Sequence, residues 1–210
     1  MILYKYSSFS PNQVHNIFSL LPTPSSLLPT PYSLTITLPM TQELIDLKTS
    51  IIEGRYADAL AIVYELEGMS KQAILRNIDS FLIRLFIHLI KNQVEQRLTN
   101  SWAASIASSI LEIKKLNIKD NKTSYYIKSD QWQPRLEEAL EAAIAPASLE
   151  VFNGELRRSQ LSQRLDKPQL ILTANSLLSL TYRYSAKELP AVLDNYLTEL
   201  PGGEEWGREA

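Results

Sequence analysis

The chain contains no cysteine, and this absence removes several kinds of chemistry. Disulfide bonds, thiolate catalysis and cysteine-based zinc or iron–sulfur sites are excluded. A cysteine-free chain fits a reducing compartment, so we expect a cytoplasmic protein. Apolar runs such as FLIRLFIHLI are interrupted by charge well short of the roughly 20 residues of a membrane-spanning helix. The sequence therefore predicts no membrane association.

Glycine and histidine are also scarce. The six glycines occur in neither the GxGxxG nor the GxxxxGK spacing of common phosphate-binding loops. The chain has two histidines and no Glu-x-x-His motif, so the usual parts of a catalytic triad or of a carboxylate-bridged metal pair are missing. We therefore expect no catalytic residue, no cofactor and no metal site.

The charge balance argues against nucleic acid as a partner. The chain carries 21 Lys and Arg against 23 Asp and Glu, which gives a net charge of −2. A weaker alternative keeps nucleic-acid contact open through a local group of basic residues. These residues are Lys114, Lys115, Lys119, Lys122 and Lys128.

The first 39 residues have a composition of their own. They hold six of the chain's eleven prolines, one lysine, and neither Asp nor Glu. SLLPTPS (19–25) is followed by SLLPTPY (26–32) and SLTITLP (33–39), a seven-residue repeat whose prolines rule out a coiled coil. We interpret residues 1–39 as a disordered segment, translated from repetitive DNA ahead of a natural start at Met40. A secretory signal and a Pro-rich ligand for an aromatic groove remain alternatives.

From Met40 onward the apolar spacing is helical nearly throughout, and no strand-like alternation extends beyond a few residues. The pattern predicts an all-α fold, a compact bundle of about six to eight helices forming one domain over residues 40–200. Two short helices should end at Gly54 and Gly68, ahead of one long central helix at about 70–98. Residues 201–210, rich in glycine, are expected to form a flexible tail.

Several residues predict where the later helices begin and end. Asn100 or Ser101 should cap the helix after the long one. Pro134 should lie in the first turn of the next helix, and Pro146 should break or kink its far end. Shorter helices are expected around 147–153 and 156–166, then one opened by Pro168 and a last one with a capping box of Ser185 and Glu188 at its start.

Polar residues on the long helix form the main candidate site. They are Arg84, His88 and Lys91, spaced i, i+4 and i+7, and Glu95, which extends the same line. One interpretation is a groove or an anion site on this face. The other is a solvated seam, or a hydrogen-bonded histidine between helices. Ser101 and Trp102 follow directly: Trp102 is either a binding aromatic or the first residue of an apolar core stripe.

The segment HLIKNQVEQRLTNSWAASI (88–106) resembles the domain-of-unknown-function 29 family, which is common in cyanobacteria. The matching positions are His88, Leu89, Ile90, Lys91, Arg97, Ser101, Trp102 and Ile106. The resemblance covers a core of about residues 42–153, with residues 155–200 as a helical extension. It implies an α-helical domain without an established activity.

Two functions remain open from the sequence. The first is a helical protein-interaction module, without catalytic activity, that binds another protein or a second copy of itself. Its support is a set of amphipathic helices and three aromatic residues expected to be exposed, which are Tyr125, Tyr126 and Trp206. The alternative is a small-ligand binder or enzyme that uses Arg84, His88 and Lys91 with Glu65 or Glu67 nearby, where adjacent cations would keep the histidine neutral.

Overall fold

The computed structural model describes residues 39–119 and 121–204, and it is helical over most of them. The helices are α1 (Pro39–Ile52), α2 (Tyr56–Glu95), α3 (Asn100–Asn117), α4 (Gln133–Glu150), a 3₁₀ helix (Val151–Gly154), α5 (Arg158–Arg164), α6 (Lys167–Arg183) and α7 (Leu189–Thr198). No strand occurs in the part of the chain that the structure describes, so the prediction of an all-α bundle is confirmed. The predicted disordered segment lies outside the described residues, apart from Pro39, which opens α1.

The long central helix is confirmed, but it begins at Tyr56 rather than near Ser70 and ends at Glu95. The two predicted helices on either side of Gly68 are one continuous helix of 40 residues, about 60 Å long. Gly68 is therefore not a helix end. A glycine inside a helix costs only about 1 kcal/mol relative to alanine, and an apolar pattern that continues past it outweighs that cost.

The connection from α2 to α3 differs from the prediction by one or two residues. Gln96 adopts the left-handed conformation, with φ of 52°, and its N–H donates to the carbonyl of Asn92. Thr99 is the N-cap of α3, because its Oγ1 accepts a hydrogen bond from the backbone N–H of Trp102 at 3.3 Å. Neither Asn100 nor Ser101 has this role, since α3 already begins at Asn100.

Pro134 lies in the first turn of α4 as predicted, whereas Pro146 does not break the helix. α4 continues through Pro146 to Glu150 and is followed by a left-handed turn at Phe152 and Asn153. A proline within a helix removes the bond to the carbonyl four residues earlier. That carbonyl belongs to Ala142, which is exposed, so water can take the place of the missing donor.

The core surrounds the C-terminal part of α2. α3 and α4 pack against this helix, and α6 packs against α2, α3 and α4. α6 and α7 contribute fully buried leucines such as Leu177 and Leu193 to the same cluster that contains Leu85 and Phe86. The predicted C-terminal extension is thus part of this core.

The chain end is fastened to the α2–α3 connection. Nδ2 of Asn92 donates to the carbonyls of Arg97 and Pro201, at 2.9 and 2.7 Å. Gly202 has a φ of 69° and lies so close to Arg97 that a Cβ would be 2.6 Å from its Cα. The first residues of the predicted flexible tail are therefore packed in place, and residues 205–210 lie outside the described residues.

Candidate functional site

The structure brings together five of the six candidate residues in what we call the polar seam: Arg84, His88, Lys91, Glu95 and Trp102. The first four lie along α2, and Trp102 lies at the start of α3. Ser101 is exposed, and its hydroxyl lies 3.1 Å from the hydroxyl of Thr99. The spacing along α2 predicted that the four α2 residues share a face, and only the fold shows what this face contacts.

Arg84 joins α2 to α3. Its Nε donates to Oγ of Ser109 at 2.9 Å, and its Nη2 donates to Oγ of Ser108 at 3.0 Å. The guanidinium also lies 4.9 Å from the centre of the Phe81 ring. The N–H donors of the planar guanidinium are therefore engaged by contacts within the protein.

Lys91 is buried and joins α2 to both α3 and α4. Its Nζ lies 2.6 Å from Oε2 of Glu150 and 4.5 Å from the centre of the Trp102 ring. The guanidinium of Arg97 lies 4.6 Å from the centre of the same ring. A buried ammonium needs such compensation, and here a carboxylate and an aromatic face supply it. Trp102 is itself buried, as expected for a core residue.

Glu95 holds the turn after α4. Its side chain is 7% exposed and pairs with Arg97 at 2.6 Å. Its Oε1 also accepts a hydrogen bond from the backbone N–H of Phe152 at 3.1 Å. Because Phe152 is left-handed, with φ of 47°, this bond stabilises a conformation that a residue with a side chain rarely adopts.

His88 is the one member of the polar seam whose bonding is incomplete. Its side chain is half-buried, and its Nδ1 is enclosed without a hydrogen-bond partner among the described residues. Burial lowers the pKa of His88, Lys91 and Arg84 lower it further, and Glu150 acts in the opposite direction. A neutral imidazole is favoured there.

Three cavities among the described residues lie away from the polar seam. The first has a volume of about 680 Å³, lies between α4 and α6, and includes Leu140 and Ile171 in its lining. One of about 390 Å³ opens beside Asn92, and one of about 380 Å³ lies between α3 and the start of α7. None of these three is lined by Arg84, His88 or Lys91.

Glu65 and Glu67 do not lie near His88. All three residues belong to the uninterrupted helix α2. At a rise of 1.5 Å per residue, the two glutamates lie roughly 30 Å or more from the histidine. The expectation that they would be neighbours assumed a helix break at Gly68, and it is wrong because that break does not exist.

The lysines proposed for nucleic-acid contact have separate surroundings. Lys114 turns inward and donates to the carbonyls of Thr181 and Tyr184 at the end of α6, and burial lowers its pKa. Lys115 pairs with Glu112 at 2.6 Å. Lys119 lies over the ring of Tyr126, whereas Lys122 and Lys128 are exposed.

The aromatic residues expected to be exposed are not all so. Tyr125 is half-buried, with its ring 4.7 Å from that of Tyr182, and Tyr126 is also half-buried. Trp206 lies outside the described residues. Among the described residues, the most exposed aromatic side chains belong to α2, namely Tyr56 and Tyr64.

Seven of the eleven large hydrophobic side chains that are exposed among the described residues lie on α1 or at the end of α2 away from the core. α1 and residues 56–77 of α2 form a helical hairpin, in which only Ser50 and Ala59 are buried over residues 41–77. We call the following set the apolar side of the hairpin: Leu44, Ile45, Ile51, Ile52, Tyr56, Leu60 and Tyr64. Each of these side chains is between 50% and 73% exposed.

The residues of the hairpin contact explain why the exposed ones lie together. α1 turns Leu47 and Ser50 towards α2, and α2 turns Ala59 and Leu66 towards α1. The three-residue connection 53–55 makes the helices antiparallel neighbours. At 100° per residue, Leu44, Ile51 and Leu60 each lie about 100° around their helix from its inward-facing residues, in the same rotational sense, which places them on one flank together with Tyr56 and Tyr64. Ile45 and Ile52 lie a further 100° around α1 and face away from α2.

The sequence pattern places Leu44 and Ile51, and likewise Tyr56 and Leu60, at helical spacing, but this spacing does not indicate that they are exposed. A signal was nevertheless present in α1. Ile45 and Ile52 stand next to Leu44 and Ile51, so the apolar stripe is wider than a single neighbouring helix can cover.

Two further searches of residues 39–119 and 121–204 gave negative results. No group of three or more His, Asp or Glu side chains is placed to hold a metal ion. None of the helices in these ranges combines the length and the apolarity needed to cross a membrane.

Comparison with known proteins gives one match. A family model described as "Domain of unknown function DUF29" matches residues 51–168. This range contains all six candidate residues and α2 in full, and it ends at the start of α6. No curated protein and no solved structure matches the chain.

Proposed function

The chain belongs to the DUF29 family, a family of unknown function, and we propose that it is a protein-interaction module that docks through the apolar side of the hairpin. One observation carries the proposal: seven large apolar side chains, each at least half exposed, are grouped on a two-helix element. Single exposed leucines are ordinary on protein surfaces, whereas a contiguous apolar patch of several hundred Å² is typical of an interaction site.

The energetics of the hairpin support the same proposal. Its two helices bury little against each other, since Leu47, Val63 and Leu66 are only half-buried and Ala59 is small. Helices of this kind draw most of their stability from packing of an apolar face. A partner that covered Leu60 or Tyr64 would contribute about 25 cal/mol for each Å² of apolar surface removed from water.

The polar seam supports docking less well than the hairpin does. Arg84, Lys91 and Glu95 each make hydrogen bonds or ion pairs within the fold, and Trp102 is covered by two cations. A partner or ligand at this seam would have to replace those contacts. The alternative of a ligand site or an enzyme rests only on His88, whose Nδ1 lacks a partner among the described residues.

The proposal is tested by co-purification with the full-length tagged chain. Ile51→Glu with Leu60→Glu places two charges on the apolar side, and we expect it to abolish retention of any bound protein. The matched control is Thr49→Glu with Ala61→Glu, which adds the same charges at exposed positions that point away from this side. The control should retain binding.

Two results would count against docking through the hairpin. The first is equal retention of bound protein by both double variants. The second is loss of binding only when Arg84 and Lys91 are replaced by alanine in a chain that keeps its helix content, which would move the docking site to the polar seam. Amide hydrogen exchange gives an independent measure, because a docked partner should slow exchange across residues 41–77.

A further inference from the structure

We infer that the partner on the hairpin is a second copy of this chain, related by a two-fold axis that passes beside Leu60. This inference rests on the proposed function and specifies its partner. In the pair, the N-terminal halves of the two α2 helices cross antiparallel, and α1 of each copy flanks the contact.

The order of side chains along α2 carries the inference. Tyr56, Leu60 and Tyr64 are spaced four residues apart and are 71%, 51% and 64% exposed, so they form one row on the helix surface. The row has a tyrosine four residues before Leu60 and another four residues after it, so the order of its side chains is symmetric about Leu60. A two-fold interface requires that residue i contacts j whenever j contacts i. An antiparallel crossing meets this condition, with Leu60 against Leu60 and each Tyr56 against Tyr64 of the second copy.

The exposed area is appropriate for a symmetric pair. At about 100 Å² for a large apolar side chain that is half exposed, and more for the two tyrosines, the five side chains on the shared flank present on the order of 500–600 Å² in each copy, so a pair would bury roughly 1,000–1,200 Å², the size of a small specific interface. The tyrosines suit an interface of this size, because their rings bury a large area and each hydroxyl can remain at the wet rim.

The distribution of charge places the axis on α2 rather than on α1. The row from Tyr56 to Tyr64 contains no charged residue. In α1, Lys48 lies between the pairs Leu44–Ile45 and Ile51–Ile52 on the exposed flank. A two-fold axis at the centre of α1 would therefore place two ammonium groups against each other. With the axis on α2, each lysine can extend to the solvated edge of the interface.

The first measurement is the mass of the full-length chain in solution by light scattering, from micromolar to sub-millimolar concentration. We expect twice the chain mass, with dissociation on dilution. Leu60→Glu appears twice in a symmetric pair, so we expect it to raise the dissociation constant by at least about 100-fold. Ala61→Glu, one residue further and exposed on another side of α2, should leave the dissociation constant nearly unchanged.

Because the chain has no cysteine, single cysteines report the contact directly. Under mild oxidation Leu60→Cys should form a disulfide-linked dimer, whereas Ala61→Cys should remain monomeric. Tyr56→Cys and Tyr64→Cys should cross-link when mixed and little when separate, because identical positions one turn from the axis lie about 12 Å apart along the helix. If Leu60→Glu fails to fold, the cysteine variants still test whether two copies contact each other at Leu60.

Three outcomes would overturn the inference. The first is a monomer at sub-millimolar concentration. The second is a dimer in which Ala61→Cys cross-links as readily as Leu60→Cys. The third is a monomer that captures a different protein, with capture lost in the Ile51→Glu, Leu60→Glu variant; this result would leave the proposed function in place. A monomer that also captures nothing through the hairpin would remove both.

Discussion

The two halves of α2 belong to one continuous helix, have similar apolar content, and differ almost completely in burial. Between Tyr56 and Asn77 only Ala59 is buried, whereas from Ile78 onward α2 buries eight residues, including Lys91 and Asn92. The C-terminal half lies among α3, α4 and α6, and the N-terminal half lies beside α1. The comparison shows that a helical apolar pattern identifies a face, and that the number of neighbouring elements determines whether this face is buried.

The two halves of α2 also differ in whether their charged side chains are buried. In the C-terminal half, Lys91 is buried and is paired with Glu150. In the N-terminal half, charged side chains such as Glu65 and Glu67 are exposed to water. A buried ammonium is tolerated only with a partner, so the C-terminal half depends on specific contacts that the N-terminal half does not require.

The largest expected effect compares one substitution in the two halves. Leu85→Ala removes a fully buried side chain, and we expect a loss of about 2–5 kcal/mol in the free energy of unfolding. Leu60→Ala, at a half-exposed site, should cost less than about 1 kcal/mol at concentrations where any pair is dissociated. Urea titration followed by circular dichroism measures both. Equal losses in the free energy of unfolding would show that the hairpin is packed as tightly as the C-terminal half of α2.

The next largest effect concerns the buried hydrogen bonds at the connection between α3 and α4. Asn117 bonds both backbone groups of Ile127, accepting from its N–H at 2.7 Å and donating to its carbonyl at 2.9 Å. Asn117→Ala leaves these buried groups without that partner, so we expect a loss of about 2–4 kcal/mol. Tyr182→Phe removes a hydroxyl that accepts from Trp132 and donates to Ile127, and should cost about 1–2 kcal/mol. A larger loss for Tyr182→Phe than for Asn117→Ala in urea titrations would contradict this ranking of the two side chains.

A smaller effect concerns two glycines. Gly68 lies inside α2, and a Cβ there would meet no atom within 4 Å, so Gly68→Ala should stabilise the hairpin by about 0.5–1 kcal/mol and slow its amide hydrogen exchange a few-fold. Gly202→Ala is the contrasting control, because its Cβ would press against Arg97. We expect that variant to be destabilised. Faster exchange in Gly68→Ala would show that α2 is not continuous.

The smallest effect is a change with pH. The pKa of His88 is lowered by burial and by Lys91 and Arg84, against the influence of Glu150. As pH falls through the unfolded value of about 6.5, the unfolded chain binds the proton first, so the folded state loses stability. We expect His88→Gln to lose less stability than the wild type between neutral and mildly acidic pH. Identical slopes in urea titrations across that range would show that His88 titrates normally.

Much of the fold could be predicted because its signals are local. The all-α class, the long helix, the position of Pro134 in a first turn and the reciprocal bonds of Ser185 and Glu188 all follow from residues within about four positions of each other. Gly68 and Pro146 gave wrong boundaries for the same reason. Each disfavours a helix locally, and the surrounding helix continues through both.

The candidate site was predicted in composition but not in arrangement. The spacing of Arg84, His88, Lys91 and Glu95 places them on one face, and this much is a property of the helix. That Arg84 meets Ser108 and Ser109, or that Lys91 meets Glu150, depends on contacts 24 to 59 residues apart in sequence. No local pattern encodes such pairs.

Composition and local patterns along the chain account for the absence of thiol chemistry, the helical class, the apolar face of each helix and the resemblance to the family. The tertiary structure decided which faces are covered: it enclosed Leu85 and Lys91 and left Leu60 and Tyr64 in water. The physical reason is that helix formation depends on neighbours along the chain, whereas burial depends on how many other elements reach a given face.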